Sequence, residues 1–105
     1  MNTVYQNEID TVVRIIADTG LVSRIILFGS LARGEETTDS DIDLCVLTTV
    51  VDRLPSDITI DLRMKLYGIQ KLPLDLFTYN YDDFIHHAKR STSFEHEIAE
   101  YGVIL

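Results

Sequence analysis

Gly29 and Ser30 end one apolar run, and ten residues further on Asp41 and Asp43 open the next. A glycine lets the backbone turn sharply and approach an anion closely. The Ser30 hydroxyl and the backbone N–H groups beside it suit phosphate oxygens, the more so where a helical turn starts and leaves those groups free. Arg33 is a further candidate for a phosphate tail, and Gly34 for a second tight turn. Asp41 and Asp43 are two residues apart, so on an extended chain both carboxylates face the same side. Ile42 and Leu44 then face the other way, towards a core. Two ionised carboxylates side by side repel each other, and an apolar setting raises the pKa of one of them. A divalent cation removes that conflict. Magnesium prefers oxygen ligands and keeps waters and phosphate oxygens in its shell, so one or two carboxylates plus a nucleotide suffice.

Asp75 is the one acid within the apolar run Leu74 to Tyr79. An unpaired buried charge is costly. Either Lys71 pairs with it at a strand end, or its strand adjoins that of Asp41 and Asp43 and all three acids share one site. In the second arrangement three carboxylates can hold two metal ions, with Asp75 as general base towards an attacking hydroxyl.

These groups need a scaffold, and the hydrophobic pattern supplies one. Tyr5, Ile9, Val12, Val13 and Ile16 fall on one face of a helix, predicted over Thr3 to Thr19 with a Thr3–Gln6 capping box and Gly20 as its stop. Arg24 to Phe28 and Ile42 to Thr48 read as buried strands. Between them Ser30 to Asp41 is a polar loop with one short helical turn around Leu31, Ala32 and Arg33. Pro55 to Gly68 fits either period, and the content of Arg63 to Tyr67 favours a helix. Leu74 to Tyr79 is a third strand, with Pro73 at its start. Asn80 caps a helix to about Arg90, with Asp82 and Asp83 in its first turn. Thr92 and Glu95 form a capping box for a last helix that buries Phe94, Ile98 and Tyr101 and stops at Gly102. The apolar tail Val103 to Leu105 docks on the core or on a partner. The order of elements predicts an α/β (α+β) layer of three or more strands with helices against it.

The chain has 105 residues and a 46% hydrophobic content, as suits a single domain spanning residues 1–105. A formal net charge of −8 disfavours broad binding to a nucleic-acid backbone. A nucleotide carried with metal, or a basic protein, fits better. One cysteine, Cys45, excludes an intramolecular disulfide and is consistent with a reducing cytoplasm. On an apolar strand it reads as a core residue rather than a nucleophile. His86, His87 and His96 lack metal-ligand spacing and read as surface groups or partner contacts. No apolar run approaches the ~18 residues of a membrane span, and the N-terminus has no signal-peptide pattern.

The form Gly-Ser-Leu-Ala-Arg-Gly at 29–34, then Ser-Asp-Ile-Asp-Leu at 40–44, with Asp75 on a later strand, resembles the nucleotidyltransferase superfamily that includes DNA polymerase beta. Within it the short chain is similar to the minimal nucleotidyltransferases, often encoded beside an HEPN-domain RNase whose antitoxin they are. The resemblance covers nearly the whole chain. It implies a small mixed β-sheet with helices packed on it, two magnesium ions, and transfer of AMP from ATP to a hydroxyl. In characterised members that hydroxyl is a tyrosine of the toxin, in what is termed a type VII toxin–antitoxin pair. By the same resemblance Gly29 and Ser30 match the triphosphate-holding pair, with Arg33 at a common motif position. Asp41 and Asp43 match the metal ligands, and Asp75 the third acid. The chain shows no counterpart of the second helical domain with which larger relatives present an acceptor, so a partner protein in a hetero-oligomer is the expected alternative. Two other functions stay open: a non-catalytic antitoxin that neutralises by binding, and a transferase for an aminoglycoside-like small molecule that needs a partner subunit.

Overall fold

The structure is a computed structural model that describes all residues from Met1 to Leu105. Helix α1 (Thr3–Asp18) leads into strand β1 (Arg24–Phe28), and a loop carries the chain to β2 (Ile42–Thr48). Helix α2 (Pro55–Leu66), strand β3 (Leu74–Asn80), helices α3 (Tyr81–Ala88) and α4 (Phe94–Tyr101), and a two-residue strand β4 (Val103–Ile104) complete it. The sheet order is β3-β2-β1-β4. Strand β1 is antiparallel to both of its neighbours, whereas β2 and β3 run parallel. It is the mixed sheet with packed helices that the sequence predicts.

Alternation along the strands divides the core between two faces. On one face Ile25, Leu27, Ile42, Leu44, Val46 and Leu74 meet Ile9, Val12 and Ile16 of α1 and Ile58, Leu62 and Leu66 of α2. On the other, Ile26, Cys45 and Leu47 meet Phe84 of α3 and Ile98 of α4. Covered on both faces, the central strand β2 is a nearly unbroken apolar run. The helical reading of 55–66 holds because Ile58, Leu62 and Leu66 are fully buried while Ile60, which strand alternation would bury, is exposed. Pro55 begins this helix, where its missing N–H does no harm.

Several local expectations shift. The cap of α1 is Asn2, whose side chain accepts from the Tyr5 N–H at 3.0 Å, and not the Thr3–Gln6 box. The cap of α4 is Ser93, accepting from the His96 N–H at 2.9 Å, and not Thr92. Asn80 does cap α3, which ends at Ala88. Of the face expected for α4 only Ile98 is buried, because the helix passes the rim of the sheet and leaves Phe94 44% and Tyr101 70% exposed. The tail forms an edge strand on β1, with the Leu105 N–H donating to the Ile25 carbonyl at 2.9 Å. Gly102 allows that return: a side chain there would strike Ile26 and the Ile98 carbonyl.

Candidate functional site

The site lies at one end of the second face, where β1 ends and β2 and β3 begin. Asp43 pairs with Phe28 across the antiparallel ladder and with Asp75 across the parallel one. Cross-strand partners share a face. The two acids therefore stand side by side, with Phe28 on one flank. Phe77, two residues beyond Asp75 on the same face, packs edge-on against Phe28 with ring centroids 5.5 Å apart. Phe94 of α4 closes the cluster at 5.6 Å from Phe28 and 5.7 Å from Phe77. The acids thus have an aromatic wall behind them and solvent in front.

Gly29 follows β1 with φ of +76°, in the left-handed region that glycine occupies without strain. A side chain at this position would run into the Asp43 carboxylate, which lies directly against the Gly29 backbone. From here the chain makes one helical turn. The Arg33 N–H donates to the Gly29 carbonyl at 3.2 Å, and the Glu35 N–H to the Ser30 carbonyl at 2.9 Å. Leu31, 3% exposed, anchors the turn in the core. The N–H groups of Ser30, Leu31 and Ala32 have no acceptor within the chain, as at any helix start. Arg33 is exposed and pairs with Glu35 at 3.2 Å.

Asp43 has a carboxyl pushed up to about 6, first by burial and then by the negative charge of Asp75. A hydrogen bond to Asp75 and the charge of Asp41 add to the rise, against a smaller pull from Arg33. The strand alignment brings Asp43 and Asp75 together as a pair. Asp41 stays exposed one residue ahead of β2, near enough for its charge to reach Asp43. No three acidic, histidine or cysteine side chains are gathered into a ready metal-binding group. The donor set nonetheless fits a hard divalent cation, because two neighbouring carboxylates that otherwise repel each other are relieved by one. Asp75 has no ion pair with Lys71, whose backbone N–H is instead held by Glu8.

Sequence reasoning missed two supports of the site. The Tyr5 hydroxyl reaches from α1 to the loop ahead of Asp41 and donates to the Ser40 carbonyl at 2.8 Å. Tyr5 was legible as a core residue, but the destination of its hydroxyl was not. Glu8, on the same helix, is 7% exposed and accepts from the Lys71 and Leu72 N–H groups at 2.5 and 2.7 Å. It fixes the approach to β3 three residues before Asp75. Cys45 is buried, and burial pushes its thiol up to about 12, which makes it a poor nucleophile.

A glycine turn with free N–H groups, set against paired strand carboxylates on a mixed four-stranded sheet, defines the class: a small α/β domain with its acids at one end of the sheet. Residues 10–105 match the family described as Polymerase beta, Nucleotidyltransferase, and the chain belongs to that family. The fold is also similar to a solved chain from a structure titled as a mutant of the toxin–antitoxin MntA–HpeT, with a TM-score of 0.61 at 19% identity, covering 90% of this chain and 69% of that one. At that identity the likeness concerns the fold. No curated protein matches the sequence significantly. No helix is long and apolar enough to cross a membrane.

Proposed function

We propose that this chain transfers AMP from ATP to a hydroxyl of a partner protein, a tyrosine of an HEPN-type RNase toxin, and so acts as the antitoxin of the pair. The observation that carries this reading is the Asp43–Asp75 pair beside the Gly29 turn. The free N–H groups at Ser30 to Ala32 suit the phosphates of the donor, and Arg33 adds positive charge at the rim. Magnesium, when bound, supplies charge neutralisation at the phosphates and activation of the acceptor oxygen. Asp43 and Asp75 would hold it, with Asp41 completing the set from the edge. The acceptor oxygen forms a bond to the α-phosphorus, the bond to diphosphate breaks, and the hydroxyl proton passes to Asp75. A net charge of −8 favours a basic partner such as an RNase. The fold's likeness to a chain from a toxin–antitoxin structure supports the same partner class.

The test is incubation with labelled ATP, magnesium and an HEPN partner. Label is expected on a partner tyrosine with the wild-type chain and absent with Asp43→Asn. An unlabelled partner, with a chain that binds ATP, refutes the proposal. Neutralisation that survives Asp41→Ala with Asp43→Ala assigns the effect to binding alone.

A further inference from the structure

Beside the phosphate turn, on the side away from Asp75, lies a pocket of about 180 Å³ lined by Phe28, Gly29, Arg33, Phe94, Ile98 and Tyr101 among others. We infer that this pocket is the seat of the nucleobase, and that Phe94 and Tyr101 of α4 are the side chains that hold it. The inference rests on the nucleotide reading of the site, since it places the base of the ligand whose phosphates lie on the turn.

Three features favour this occupant. The pocket shares Gly29 and Arg33 with the turn, so a ligand anchored there by phosphate reaches it without leaving the surface. Its size is below the ~300–1,000 Å³ of pockets that enclose a whole drug-sized ligand. It suits one flat ring system, with sugar and phosphates outside. Its walls are aromatic and aliphatic, and stacking on such walls is how single bases are commonly held. Phe94 is braced for that role, because Phe28 and Phe77 pack edge-on against it. Tyr101 stands 70% exposed at the end of α4 with nothing packed over it. Glu97 at the rim offers an acceptor to the N–H groups on a base edge.

The experiment measures binding of ATP and of inorganic tripolyphosphate, both with magnesium, to the wild-type chain and to Phe94→Ala and Tyr101→Ala. Tripolyphosphate reports the turn and the acids alone. Loss of one stacking partner is expected to weaken ATP roughly five- to a hundredfold while tripolyphosphate binding stays unchanged. Tyr101 is the safer position, since its exposed side chain is not part of the core, and thermal melting checks both. Unchanged ATP affinity in two folded variants overturns the base pocket and leaves the aromatic patch as a protein-docking surface. If wild type binds tripolyphosphate as tightly as ATP, the pocket contributes nothing and the inference fails while the phosphate site stands. If wild type binds neither ligand, the nucleotide reading falls and this inference with it.

Discussion

The Asp43 carboxylate occupies the space that a side chain on residue 29 would fill, so Gly29 and Asp43 form one unit of the site. The glycine is required twice, for its φ of +76° and for the acid that rests on it. Gly29→Ala carries a backbone cost of about 1–2 kcal/mol for the left-handed conformation. It also pushes Asp43 away from Asp75. The expected result is a folded but less stable protein, measured by urea unfolding, with transfer activity reduced at least about a hundredfold because a displacement near 1 Å is enough for that. Gly34→Ala is the control. Gly34 has φ of +70° but nothing within reach of an added side chain, so it should share the backbone cost and retain most of the activity.

Asp43 makes stability depend on pH in the direction opposite to a salt-bridged acid. Its carboxyl lies at about 6 in the folded protein against an ordinary 3.8, so between those values the folded state binds more protons than the unfolded one. Stability contributed by this group is fully present below 3.8 and is lost as pH rises through 6. Asn at this position has no charge to desolvate. Without metal, Asp43→Asn should be more stable than wild type near neutrality by on the order of 1 kcal/mol, after discounting for the group's solvent exposure. The gap should close towards acid pH. Urea titrations across the window, with chelator present, measure it. A constant gap at all pH values means that shape rather than charge is responsible.

The parts of this fold that were legible were those written in local pattern. Ile9, Val12 and Ile16 repeat at helical spacing and are buried as read. Ile42 and Leu44 alternate with Asp41 and Asp43, which placed Asp43 on a strand facing away from the first core, whereas Asp41 lies one residue ahead of that strand. What was not legible depended on partners distant in sequence or on small local differences. Asn2 competes with Thr3, and Ser93 with Thr92, for one cap each, and adjacent capping residues differ by only a few tenths of a kcal/mol. Strand β4 has two residues, too few to show a period. The aromatic wall draws Phe28, Phe77 and Phe94 from three separate elements, so no spacing rule finds it.

Glu8 shows the same limit and can be tested directly. A charged residue on a helix reads as solvent-facing, yet this one is buried with two backbone N–H groups on one oxygen. Glu8→Ala leaves both donors without an acceptor, at about 1–3 kcal/mol each. Glu8→Gln keeps a carbonyl acceptor and should lose only about 1 kcal/mol. Hydrogen exchange at Lys71 and Leu72 should quicken in Glu8→Ala and much less in Glu8→Gln. Equal exchange in all three proteins shows that other contacts hold this segment.

Magnesium should stabilise the folded chain, and the gain should grow with pH. A cation at the Asp43–Asp75 pair must displace the proton that Asp43 holds up to about 6, so protons and metal compete below that value. Stabilisation by a ligand follows RT ln(1 + [L]/Kd), and a proton that must first be released raises the apparent Kd. Thermal melts with and without magnesium should therefore differ little at about pH 5 and clearly at about pH 8, where Asp43 has lost its proton without metal. Asp75→Asn should remove most of the shift at both pH values, because only Asp43 is left of the pair, with Asp41 at its edge. Asp41→Asn should remove less, since Asp41 stands exposed at the edge of the pair. A shift that ignores pH and survives Asp75→Asn places the magnesium elsewhere on this acidic surface.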